Sequence, residues 1–275
     1  MTVKLSHHKA QSISGDSIPF TRSSNIGGEL IPRYLVIHFT AGQSAEAAVN
    51  WLCRKDSKAS AHVVIGRDGK ITQLVPFNRV AFHAGASSWE GLSGLNQYSI
   101  GIELDNAGRL NRVGNQWQSW FGRMYSADEV VEAIHKNDTR LYGWHAYTEP
   151  QTQAALNLAV VLFKRYQLLD VVGHDDISPR RKWDPGPAFP MDSFRSKLLG
   201  RMELRPPEYA SVRLLYLRSG PGFQHPILPS QLPKDARVEV VSTEGMWSLI
   251  DPLEGVDEDE DSQGWVLSRH LRRME

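Results

Sequence analysis

The sequence has a single cysteine, Cys53, among 275 residues, which excludes an internal disulfide framework and any zinc site built from several thiolates. It has no excess of either charge. Its 31 Lys and Arg balance 31 Asp and Glu, so no global field exists to hold nucleic acid or an anionic membrane surface. No apolar run approaches the roughly 18 residues of a membrane span. The first twenty residues, MTVKLSHHKAQSISGDSIPF, lack the uninterrupted apolar core of a secretory signal. The expectation is therefore a chain made in the cytoplasm, without an integral membrane segment. There is no HExxH and hence no helix-borne metalloprotease pattern. Internal repeats and long low-complexity tracts are absent as well. The most biased stretch, DPLEGVDEDEDS at 251 to 262, holds seven acids and no base and reads as a solvated loop.

What is present has the composition of a globular protein: 41% apolar and 23% charged residues in 30.9 kDa, enough for one large domain or two modest ones. Up to about residue 200, β-rich runs alternate with amphipathic segments, whereas the remainder carries strand patterns and turns only. RMELRPPEYA at 201 to 210, with Pro206 and Pro207 and no periodic apolar face, reads as a linker. Two domains are expected, 1 to 203 and 210 to 275.

In the first, YLVIHFTA (34 to 41) is short, apolar and rich in β-formers, as a buried strand is. HVVIGR and ITQLVP flank Asp68-Gly69, which suits a tight hairpin turn. VAFHA (80 to 84) and SIGIEL (99 to 104) read as further strands. Ser126-Ala-Asp-Glu129 and Thr148-Glu-Pro-Gln151 have the capping-box pattern and predict two helix starts. Ala155, Leu158, Ala159, Leu162 and Tyr166 form one helical stripe; Ala45, Ala48, Val49 and Leu52 form another. The expected fold class is α/β, a central mixed β-sheet flanked by helices.

Ten histidines are present, and position selects among them. His38 closes an apolar strand where the chain turns away, and His174 follows Val171-Val172-Gly173 in the same manner. Asp184 lies in Lys182-Trp183-Asp184-Pro185-Gly186-Pro187, a rigid turn that fixes the direction of a carboxylate. Two imidazoles and a carboxylate, brought together, make a three-ligand zinc site with an open fourth position, the arrangement of a catalytic zinc. Glu103 sits inside an otherwise apolar strand, where a carboxylate either meets a partner or acts in a site. Lys182 is either a surface lysine or, two residues before Asp184, aimed at a developing oxyanion.

Taken together, LVIHFTAG, SAHVVIGRDGKITQLVPFN, FHAG, SIGIELDN and GHDDISPRRKWDPGPAFP resemble the type-2 N-acetylmuramoyl-L-alanine amidases, relatives of the peptidoglycan-recognition proteins. The motifs stand in the family's order from about residue 30 to 195. The resemblance implies a Zn2+ hydrolase that cuts the amide between the lactyl group of N-acetylmuramic acid and the L-alanine of the stem peptide. By this resemblance His38, His174 and Asp184 are the metal ligands. Glu103 is the general base, and Lys182 stabilises the tetrahedral intermediate. Some relatives carry a tyrosine just before the His of the HVVIGR strand. Ala61 stands here before His62, which leaves that role to Glu103. His83 of FHAG takes a position that lines the substrate groove. Trp89 and Trp183 are candidates for stacking on sugar or peptide, with core burial the alternative for each, and His62 reads as structural.

The final segment resembles the bacterial SH3-like modules through YLRSGPG (216 to 222) and GWV (264 to 266), implying a small β-barrel that binds wall peptides or packs on a catalytic domain. The implied partner is peptidoglycan or a muropeptide, with no nucleic acid. The wall lies outside the cytosol, so action there requires release or delivery. The rival reading is a non-catalytic peptidoglycan-recognition protein.

Overall fold

A computed structural model describes residues 3–13, 17–203, 208–253 and 263–274. Tyr34–Phe39 is the backbone of the larger unit: its first five residues are all buried, as expected of a strand covered on both faces. It lies between Asp170–Gly173 and Ser99–Leu104, parallel to both. Val63–Ile65 continues the sheet in parallel and Ile71–Gln73 closes it antiparallel. The sheet is thus mixed and five-stranded. The Asp68-Gly69 turn closes the hairpin as expected. Gly69 has φ +81°, and a Cβ there would meet the Pro150 carbonyl oxygen at 2.7 Å, so both backbone shape and space require glycine.

Ala45–Cys53 is a helix capped by Ser44, whose side chain accepts from the Ala47 N–H. It packs Ala45, Ala48, Val49 and Leu52 on Val64, Leu74 and Val75. Glu149–Tyr166 is capped by Thr148 and buries Ala155, Leu158, Ala159 and Leu162. The Gln151 side chain does not return to the cap. Its Nε2 donates to the carbonyls of Ile65 and Asp105, both at 3.0 Å, tying the helix start to the ends of two sheet strands.

The helix expected after Ser126 is a correction. The capping box forms, with Glu129 Oε2 accepting from Ser126 N and Oγ at 3.1 and 2.9 Å, yet it closes only the single turn Ala127–Glu129. Val130–Ile134 then pairs antiparallel with Leu141–His145 over five residues. The β-branched Val130, Val131 and Ile134 suit that ladder, and long-range pairing outweighs the local signal. These strands join Arg109–Val113, Gln116–Gln118 and Met124–Tyr125 in a second five-stranded, antiparallel sheet, with Ala107, Leu110, Trp117 and Tyr125 as its core. It is anchored beside the Glu103 strand, where Asn106 Nδ2 donates to the His145 carbonyl at 2.8 Å and the Ala107 N–H donates to His145 Nδ1 at 3.1 Å.

The smaller unit takes in Leu5–His7 and the chain from Arg201 onward. It holds a seven-stranded antiparallel sheet in the order Ile227–Leu232, Leu215–Arg218, Gly264–Leu267, Trp247–Pro252, Arg237–Glu244, Glu208–Ser211, Leu271–Arg273. Leu215, Leu217, Leu232, Val238, Ile250 and Val266 form its core. The linker expected over 201 to 210 is shorter: a helix runs from Met191 to Glu203 and a strand starts at Glu208. Pro206, Pro207 and most of the acidic run lie outside the described residues. No helix among the described residues is long and apolar enough to cross a membrane.

Candidate metal centre and active site

Parallel strands end at one edge of their sheet, and there the chain collects its chemistry. Glu103 is paired with His38 across adjacent strands. Gly173 is paired with Ile37, so His174 emerges beside His38. Asp184 arrives on the loop that follows, held by the Asp175 N–H donating to the Asp184 carbonyl at 2.7 Å and by Tyr147 Oη donating to the Pro185 carbonyl at 2.8 Å.

His38, His174 and Asp184 are all buried, at 1%, 2% and 6% exposure. His38 Nδ1 lies 2.9 Å from His174 Nδ1, and Asp184 Oδ2 is 2.8 and 2.9 Å from the two nitrogens. The far sides of the rings decide where the protons sit. His174 Nε2 faces the Ala84 carbonyl at 3.0 Å and the Arg181 Nη2 donor farther off at 3.3 Å; the closer carbonyl can only accept, which favours hydrogen on Nε2 and a lone pair on Nδ1. His38 Nε2 faces His83 Nδ1 at 3.0 Å, while His83 Nε2 faces the Ser99 carbonyl at 3.3 Å. His83 therefore donates to Ser99 and accepts from His38, which leaves His38 Nδ1 as a second lone pair. Asp184 adds its carboxylate oxygen Oδ2 to the same point. Two lone pairs and an anion thus converge within 4.8 Å. Their 2.8 to 2.9 Å separations approach the spacing of about 3.3 Å set by a tetrahedral ion with bonds near 2.0 to 2.1 Å. The donor set fits a divalent metal, and the outer hydrogen bonds orient it.

Glu103 supplies a different function. Burial, reinforced by the charge of Asp184 and opposed by Lys182, pushes its carboxyl up to about 8, and its Oε2 has no hydrogen-bond partner. Such a group takes and returns a proton near neutral pH. Lys182 is half-buried and lines a cavity of about 310 Å³ with Asp184 and Trp183. Its ammonium makes no hydrogen bond or ion pair among the described residues.

Of the residues expected to touch substrate, Trp183 lines this cavity. Trp89 packs instead against the cluster of Tyr34, Val36, Leu95 and Val172. His83 stands behind His38, in a space kept open because residue 101 is glycine: a Cβ there would meet the His83 ring at 2.5 Å. His62 is fully buried, with Nδ1 accepting from the Gly101 N–H at 3.0 Å and Nε2 donating to the Arg79 carbonyl at 2.9 Å. The sequence reading missed Phe39, Arg109, Asn111 and Trp120 on the cavity wall. An indole only 28% covered is an odd surface group, and Trp120 is 72% exposed; even so, no sequence signal pairs it with Ala41, whose carbonyl its Nε1 contacts at 2.7 Å.

The sequence matches the family described as N-acetylmuramoyl-L-alanine amidase over residues 28–187. It is 31% identical over 228 residues to the N-acetylmuramoyl-L-alanine amidase AmiD of Escherichia coli strain K12, covering 74% of this chain and 71% of that protein. It is 34% identical over 141 residues to the 1,6-anhydro-N-acetylmuramyl-L-alanine amidase AmpD of Citrobacter freundii, covering 50% of this chain and 57% of that protein. The chain thus spans little more than half the length of the latter. Among solved structures, E. coli AmiD in complex with anhydro-N-acetylmuramic acid-L-Ala-D-gamma-Glu-L-Lys aligns with a TM-score of 0.47 at 28% identity, covering 71% of this chain and 65% of that one. The chain belongs to the N-acetylmuramoyl-L-alanine amidase family of enzymes.

Proposed function

We propose that this protein hydrolyses the amide between the lactyl carbonyl of N-acetylmuramic acid and the L-alanine of a peptidoglycan stem peptide, and that it is zinc-dependent. The observation that carries the reading is the convergence of His38 Nδ1, His174 Nδ1 and Asp184 Oδ2 beside a buried carboxyl able to exchange a proton near neutral pH. His38, His174 and Asp184 would hold the zinc ion, which would supply Lewis acidity toward water and a carbonyl oxygen when bound. Glu103 takes the proton of the attacking water and returns it to the leaving amine nitrogen. The Lys182 ammonium, free of partners among the described residues, faces the carbonyl oxygen as it gains charge. Trp183 gives the substrate an apolar wall.

The printed activity of the AmpD relative makes 1,6-anhydro-muropeptides a substrate to test beside polymeric peptidoglycan. The sheet-rich C-terminal unit, with its YLRSGPG segment, supports an SH3-like, wall-binding role; loss of cosedimentation with peptidoglycan on removing residues 205 to 275 is the expected result.

The decisive experiment is mass spectrometry of products from both substrates before chelation, after chelation and after zinc is restored. Free peptides with an L-alanine amino terminus, released only with metal, are expected. Substrate that is bound but left intact with zinc present would favour a recognition protein.

A further inference from the structure

Arg109 is the one arginine on the cavity wall whose guanidinium is held in place without using its donors. The residue is half-buried, and its backbone is fixed by the antiparallel pairing of Arg109 with Trp144. Its guanidinium carbon lies 4.7 Å from the centre of the Tyr142 ring and 4.9 Å from that of Trp183. These two rings stand nearly perpendicular, at 80°, with centres 6.3 Å apart. The corner between them holds the guanidinium by cation–π attraction from both rings. The Arg109 guanidinium makes no hydrogen bond or ion pair to any described residue. Arg181, its neighbour on the wall, commits its Nη2 to the carbonyls of Ala84 and Ala86 and to Ser178 Oγ. Arg67 and Arg195 are likewise committed, to the Ala146 carbonyl and to Asp170 with the Val171 carbonyl.

A guanidinium held with free in-plane donors matches a carboxylate, which it binds through two parallel hydrogen bonds. Arg109, Arg181 and Lys182 outnumber Asp184 among the charged residues of the cavity, so the wall attracts anions. Resting on the amidase reading above, the chemistry of the substrate then says which carboxylate. The lactyl carboxyl of the muramic acid is consumed in the amide that is cut, so the free carboxylates belong to the peptide. We propose that Arg109 is the specificity-determining residue that reads a peptide carboxylate, making acidic stem peptides preferred over amidated ones.

The test compares muropeptides that differ only by conversion of one peptide carboxylate to its carboxamide, with the zinc-loaded full chain and with Arg109→Gln and Arg109→Lys. The wild type is expected to prefer the acid form by at least tenfold in kcat/KM, carried mainly by KM. Arg109→Gln collapses that ratio toward one, and Arg109→Lys, which keeps the charge but loses the fork, falls between. Calorimetric binding of the free acidic and amidated peptides repeats the comparison without turnover. Equal treatment of both forms by the wild type, in rate and in binding, overturns the proposal while leaving the amidase reading intact. So does full discrimination by Arg109→Gln. If neither form is hydrolysed with zinc present, the amidase reading fails, and the binding comparison alone then decides for or against Arg109.

Discussion

Two side chains beside the proposed metal ligands are expected to have separable duties. Glu103 does not touch the ligand cluster through a hydrogen bond, so Glu103→Gln is expected to retain stoichiometric zinc while turnover falls by about 10² to 10⁴. Metal analysis together with initial rates checks both halves, and a fully active variant would end its role as base. His83 acts in the opposite sense. It accepts the His38 Nε2 hydrogen at 3.0 Å, which keeps the His38 lone pair on the metal side. His83→Ala is therefore expected to weaken zinc binding by about 10- to 100-fold, read by competition with a chromogenic chelator. Unchanged affinity would show that the tautomer is set some other way.

At the scale of the element, the strand Ser99–Leu104 carries both the proposed base and the space for His83. Gly101→Ala puts a methyl 2.5 Å from the His83 ring; a loss of about 1 to 3 kcal/mol in stability and weaker zinc binding are expected. In a His83→Ala background the methyl has room, so the stability costs should be strongly non-additive in denaturant titrations. Additive costs would mean that the two residues do not meet. The elements that the sequence announced are those whose burial pattern is local. Tyr34–Phe39, Ser99–Leu104 and the Asp68-Gly69 hairpin are apolar runs bounded by turns, and Thr148 caps its helix in sequence as in space. Ser126 misled because a capping box satisfies one turn of backbone and says nothing about the next five residues, whose partners at Leu141–His145 lie beyond any local window. The residues of the proposed metal site, His38 and His174 at strand ends and Asp184 in its Pro-Gly turn, were singled out from their motifs, and the structure brings them together. Arg109, Asn111 and Trp120 were not, because they reach the cavity only when the second sheet folds beside the first.

Across the whole molecule, zero net charge conceals a set of histidines that folding keeps neutral. Burial lowers His62 to about 4 and lowers His145, also against nearby arginines, to about 4. An unfolded imidazole takes its proton near pH 6.5. Between pH 6.5 and 4 these two sites bind more protons in the unfolded chain than in the native one, so their contribution to stability falls as pH falls, by about 3 kcal/mol for His62 alone. In urea titrations from pH 7 to 4, His62→Gln should flatten the dependence of unfolding free energy on pH by about one proton; an unaltered slope would contradict the assignment. The pairing of Glu103 with His38 on adjacent parallel strands has a consequence for how such a protein can be altered. The proposed base and first ligand are spaced by backbone hydrogen bonds, like marks on a ruler, whereas Lys182, Trp183 and Arg109 come from a loop and a second sheet. A designer can therefore exchange the walls to change which peptides enter, and the distance over which the proton travels stays as it was.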